Sequence, residues 1–169
     1  PKRDWSSDVC SSDLTAATES YNGTSWTSVN SLNTARGFIM GAGLQTAGIA
    51  FGGTSPGSGP LANISILTES WNGTSWTNVN NCAPQWAGVG VGTQTAALGF
   101  GGDYTPPNGF TPTTQSYNGT SWTTIPGSLA TIRDSLGGAG IQTTAVGFGG
   151  SSTPAPAGTT STEEWNFGV

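Results

Sequence analysis

The chain has 169 residues, four basic and nine acidic, with a net charge of −5 and no histidine. So few cations cannot neutralise a phosphate backbone, which excludes nucleic acid as a partner. No apolar run approaches the roughly 18 residues that a membrane-spanning helix needs. Gly, Ser, Thr and Asn dominate, and runs of helix-forming Lys, Glu, Ala and Leu are missing. That composition favours β-strands joined by many turns. Without histidine the chain lacks the commonest general base and the commonest metal ligand. No catalytic residue, metal site or cofactor is expected.

The first residues stand apart from the rest. The run from Asp4 to Leu14 resembles a widely used short-read library adapter translated in one frame, over eleven consecutive residues. Residues 1–14 are therefore read as a cloning or assembly scar and left out of the fold. Outside that stretch Cys82 is the one cysteine, which excludes a disulfide scaffold and suits a small buried side chain.

From Thr15 onward the chain repeats itself. Asn-Gly-Thr-Ser-Trp occurs at 22–26, 72–76 and 118–122, each copy after an aromatic residue, Tyr21, Trp71 or Tyr117. A fourth start stands at Trp165-Asn166. Phe51-Gly52-Gly53, Phe100-Gly101-Gly102 and Phe148-Gly149-Gly150 keep the same beat. Repeats of this length mark solenoids, propellers or arrays. Residues 15–30 read as the third and fourth strands of a partial unit. In the unit 36–80, residues 38–44 form an inner Gly-rich strand and Gln45-Thr46 a turn. Residues 47–51 form a second strand closed by Gly52-Gly53, which permit unusual φ values. A Pro, Gly and Ser-rich loop covers 54–62, and 64–71 form a third strand. Asn72-Gly73 reads as a two-residue hairpin turn, and 74–79 as the fourth strand. The unit 85–125 repeats this, and 131–169 supply strands one to three of another. The count is thirteen strands, a little over three four-stranded meanders. Stacking should bury Phe51, Phe100 and Phe148 between sheets, together with the Tyr21, Trp71, Tyr117, Trp165 set and the Trp26, Trp76, Trp122 set.

These residues resemble kelch repeats, the blades of galactose-oxidase-like β-propellers. The pattern is a Gly-Gly pair ending the second strand, an aromatic residue, then a Trp shortly after. It appears as Gly52-Gly53, Trp71, Trp76 and as Gly101-Gly102, Tyr117, Trp122. The partial units supply Tyr21 with Trp26, and Gly149-Gly150 with Trp165. The resemblance covers 15–169 and implies an all-β, kelch-type propeller. Closed propellers usually need four to eight blades, so a fragment or an open arc is expected, or a ring completed by self-association. The Asn-Gly-Thr-Ser-Trp wording is also similar to repeat arrays in structural proteins of environmental bacteriophages. Copper oxidases of the superfamily use His ligands, which this chain lacks.

The loops 54–62, 103–112 and 151–160 vary most and share one end of the repeats, which makes that end the candidate binding face, with Tyr104 and Phe110 as its exposed aromatics. The alternative is spacer loops without a ligand. Arg36, Gln85 and Arg133 occupy equivalent positions before the innermost strand. They could form a ring of donors for a sugar, a carboxylate or an acidic peptide. The other reading is an inter-blade salt bridge to Glu69 or Glu163. Glu163 and Glu164 are neighbours on a strand and point to opposite faces, so they make a poor acid/base pair. Asn22, Asn63, Asn72 and Asn118 satisfy the glycosylation sequon incidentally, three of them as turn residues.

The sequence points to a non-catalytic binding or structural module on an extracellular or virion surface, recognising a glycan or a protein. Two alternatives remain: a non-catalytic part of a larger galactose-oxidase-like enzyme, and an intracellular kelch adaptor.

Overall fold

A computed structural model describes residues 14–56, 64–105, 109–152 and 157–166. They are all-β, and no helix occurs among them. The strands are β1 (Thr18–Tyr21), β2 (Trp26–Val29), β3 (Met40–Leu44), β4 (Ala47–Phe51), β5 (Thr68–Trp71) and β6 (Trp76–Val79). Then come β7 (Val89–Thr93), β8 (Ala96–Phe100), β9 (Asp103–Thr105), β10 (Gly109–Phe110), β11 (Thr114–Tyr117) and β12 (Trp122–Ile125). The last are β13 (Arg133–Asp134), β14 (Gly137–Gly140), β15 (Thr144–Phe148), β16 (Ser151–Ser152), β17 (Ala157–Gly158) and β18 (Thr162–Asn166).

Two complete antiparallel meanders run β3-β4-β5-β6 and β7-β8-β11-β12. A two-stranded sheet, β1-β2, precedes them, and a three-stranded sheet, β14-β15-β18, follows. Among the described residues the sheets close into neither a barrel nor a ring.

The innermost strands of successive sheets lie side by side, β3 against β7 and β7 against β14. Glycine makes this approach possible. A Cβ on Gly90 would lie 2.5 Å from the Gly41 carbonyl oxygen, a backbone atom that cannot swing away. Between the sheets sit two apolar clusters. Met40, Ile49, Phe51, Cys82, Ala97 and Tyr117 form the first, and Val89, Val91, Leu98, Phe100, Leu136 and Ala145 the second. Phe51 reaches across its sheet boundary to Trp122, with ring centroids 4.4 Å apart.

Several expectations need correction. Trp71 pairs directly with Trp76, so the hairpin loop holds the four residues 72–75. Only Gly73 has positive φ there. The Asn72 side chain instead accepts hydrogen bonds from the Thr74 and Ser75 amides, and Asn22 and Asn118 do the same in their loops. The third strand of this unit starts at Thr68, while Ile64 makes only an isolated bridge to Thr54. Phe38 is not strand: its φ is +51°, and β3 starts at Met40. The expected burial of every aromatic set fails at Tyr21, Trp26 and Phe148, which are 44, 65 and 45 % exposed. The described residues place no sheet over these three, whereas Phe51, Phe100, Trp71 and Tyr117 lie between sheets and are buried. The varying loops also carry short strands of their own, β9-β10 and β16-β17, with β16 pairing in turn with β13 before the inner strand. Residues 1–13, part of each varying loop and Asn63 lie outside the described residues; Leu14, within the excluded leader, is half-buried beside Gly37.

Candidate binding face

At one end of each unit the second strand runs on past its Gly-Gly pair and meets the backbone entering the first strand. Gly37 bridges Thr54, Trp86 bridges Asp103, and Asp134 pairs with Ser151. The second glycine of each pair has φ near +90° and leaves no room for a side chain. A Cβ on Gly53 would sit 2.5 Å from the Gly37 oxygen, and one on Gly102 2.3 Å from the Trp86 oxygen. The Gly-Gly motif is thus a device for crossing backbones at this end. The same glycines carry bonds between units: the Gly53 amide donates to the Gln85 carbonyl and the Gly102 amide to that of Arg133, both at 2.9 Å.

Phe38, Ala87 and Ser135 occupy equivalent positions and share a left-handed backbone, with φ of 51, 54 and 50°. For residues with a Cβ this costs about 1–2 kcal/mol each. Bonds between units hold the conformation: Ala87 N donates to the Phe38 carbonyl and Ser135 N to that of Ala87. The turn throws the Phe38 ring outward, 64 % exposed, edge-on to Trp86 at 5.3 Å between centroids. Tyr104 follows Asp103, the residue bridged to Trp86, and is 47 % exposed; Phe110 is half-buried on β10. Tyr104 is exposed at this end as expected, Phe110 is half-buried where exposure was expected, and sequence reasoning misses Phe38 and Trp86. Phe38 reads as an inner-strand residue, and the repeat offers no other aromatic at its position to mark the turn.

Two carboxylates share this end. Asp103 is buried and Asp134 half-buried. Burial pushes the Asp134 carboxyl above its ordinary value and the negative charge of Asp103 adds to the push, against a hydrogen bond with Ser135. The exposed aromatic faces at this end suit a ligand with apolar faces, since rings offer stacking area.

Arg36, Gln85 and Arg133 do not form a ring of donors. All three are buried and make their side-chain bonds inside their own units, while Arg36 Nε and Arg133 Nε are buried without a hydrogen-bond partner. Arg36 donates to the Glu69 carboxylate at 2.8 Å and to the Gly52 and Leu67 carbonyls. Arg133 Nη1 lies 3.0 Å from Glu163 as a charge contact outside hydrogen-bond alignment, while Nη2 donates to the Gly147 carbonyl. Both ion pairs therefore join strands of one unit and do not cross between units. In the middle unit Gln115 stands where the others have Glu, and its amide donates to Gln85 Oε1 at 2.6 Å. Gln85 in turn donates to the Gly101 carbonyl. In all three units the carboxylate or amide oxygen also accepts a backbone amide, from Asn33, Ala83 and Ala130. Glu164 is exposed while its neighbour Glu163 faces Arg133. Burial pushes the Cys82 thiol up, away from the thiolate, with a Thr68 hydrogen bond opposing.

The opposite end carries a second set of links that sequence reasoning took for plain turns. Gln45 donates to Ser20 Oγ and the Tyr21 carbonyl of the preceding sheet. Gln94 does the same to Ser70 and Trp71, and Gln142 to Ser116 and Tyr117. The indole N–H groups of Trp76 and Trp122 donate backward to Thr18 and Thr68, each at 3.1 Å. These links join each sheet to the one before it.

Among the described residues no group of three or more His, Cys, Asp or Glu side chains could hold a metal ion, and no helix is long and apolar enough to cross a membrane. No protein-family model and no curated protein matches the chain.

Proposed function

We propose that the chain is a non-catalytic recognition or structural module: an arc of kelch-type propeller blades whose loop-bearing end contacts a glycan or a protein on an extracellular or virion surface. The carrying observation is the pair of exposed aromatics Phe38 and Tyr104, the first edge-on to the half-buried Trp86, at the end where a repeated backbone crossing is bonded from unit to unit. Side-by-side inner strands and the meander order support the propeller reading. A rigid frame presenting varied loops is where binding usually sits, and pre-set aromatic side chains contribute contact area at low entropic cost.

A glycan array probed with the full chain tests this reading. Binding to a defined class of surface polysaccharide is expected, and it should weaken about tenfold or more, roughly 1.4 kcal/mol, in Phe38→Ala or Tyr104→Ala. Both side chains are exposed, so melting temperatures should hold. Absence of binding to any polysaccharide or surface protein, or binding indifferent to both substitutions, would contradict the proposal.

A further inference from the structure

The same cross-strand row runs over the loop-bearing end of each unit, and its chemistry changes abruptly in the middle. In the unit 36–80 the row reads Gly37, Thr54, Ile64. In the unit 131–169 it reads Asp134, Ser151, Gly158. In the unit 85–125 it reads Trp86, Asp103, Phe110. Directly opposed residues of neighbouring strands share one face of the sheet, about 5 Å apart, so Asp103 lies between an indole and a phenyl ring. Phe38 meets Trp86 from the preceding unit, edge-on at 5.3 Å. The pairing skips Tyr104, since Gly109 lies opposite Thr105 and Phe110 opposite Asp103. Such a bulge re-aims the extra side chain, and Tyr104 is exposed. Phe38, Trp86, Tyr104 and Phe110 thus flank one carboxylate, where the rows on either side carry no ring.

We infer that this cluster is a subsite for a quaternary ammonium group, such as choline carries, seated on the aromatic faces with Asp103 behind them. The inference rests on the recognition module proposed above and names the chemistry of its ligand. Cations are drawn to ring faces, and a fully alkylated ammonium suits them because it has no N–H group to satisfy. The surroundings favour that choice. Asp103 is buried, so it offers a ligand its charge more than its lone pairs. Trp86 is half-buried with Nε1 turned inward, so the indole offers ring and not a donor. Asp134 adds a second carboxyl, near enough for the charge of Asp103 to oppose its ionisation. Both described arginines pair inside their own units, with Glu69 and Glu163. A positive ligand is therefore favoured at this end and a negative one penalised.

Choline itself is the probe, titrated against the full chain by calorimetry and by saturation-transfer NMR of its methyl groups. It should bind about tenfold or more tighter than its neutral isostere, which has carbon in place of nitrogen. Phe38→Leu keeps apolar area without the ring face and should weaken choline binding about threefold or more. Asp103→Asn should weaken it as well and flatten its dependence on salt, with the β-sheet circular dichroism unchanged. Competition by a choline-bearing polysaccharide or by a trimethyllysine peptide tells whether a glycan or a protein carries the group, and either supports the subsite. No choline binding, equal binding of the neutral isostere, or binding indifferent to both substitutions would overturn the inference. If choline fails while Phe38 still carries binding to a polysaccharide without quaternary ammonium groups, the recognition module stands and the subsite alone falls.

Discussion

Glycine positions in this chain differ sharply in what they tolerate, and the surroundings decide the difference. A Cβ on Gly41 would meet nothing closer than the Ile49 carbonyl at 3.5 Å, whereas one on Gly90 would press into the Gly41 backbone. Gly41→Ala should leave the melting temperature nearly unchanged. Gly90→Ala should cost about 1–3 kcal/mol, because only movement of a whole sheet can relieve the clash; urea denaturation of the two variants checks this. Asp134 carries a raised folded-state value. An acid of that kind binds its proton more readily folded than unfolded, so its charge works against the fold above the folded value and ceases to do so as pH falls through the window to the ordinary one. Asp134→Asn should therefore raise the melting temperature at pH 7, and the gain should shrink towards acid pH. A melting temperature lowered at pH 7 would contradict the assigned cost of burying the charge, to which repulsion from Asp103 adds.

The buried pairs show how one element is kept while its chemistry changes. Arg36 with Glu69 and Gln85 with Gln115 hold equivalent strands, one through an ion pair and one through amides. Glu69→Gln alone would leave the Arg36 charge buried without its partner and should cost about 3–5 kcal/mol. Adding Arg36→Gln recreates the middle unit's arrangement and should recover most of that loss, as a double-mutant cycle in urea would show. The strands themselves were legible: Gly-rich inner segments, alternating Thr-Glu-Ser-aromatic segments and Gly-Gly stops all fall in or beside strands at the expected period. The turns were misread because Asn72-Gly73 satisfies the rule for a two-residue hairpin, while the Asn72 side chain is better used capping the Thr74 and Ser75 amides. The paired change of Arg to Gln and Glu to Gln was visible in the sequence. It marks contact within one unit, which positions along the chain do not by themselves separate from contact between units.

At the scale of the whole molecule, the repeat period predicts sheets of one kind in series but says little about what joins them. The joints are backbone bonds at the loop-bearing end and glutamine and indole donors at the other. The backbone bonds leave no trace in residue identity, and Phe38 owes its outward position to one of them. The aromatic sets were legible as a pattern, yet burial depends on a neighbouring sheet, so Trp26 and Phe148 differ from their counterparts despite identical local sequence. If the sheets act as one stacked scaffold, its joints must be as well protected as its strands. Residue-resolved amide hydrogen exchange measures this directly. The amides of Gly53, Ala87, Gly102 and Ser135, which donate from sheet to sheet, should exchange as slowly as those inside β4 and β8. Rapid exchange at these four positions with protection kept inside the strands would mean independent meanders, and would contradict a scaffold that presents one continuous binding face.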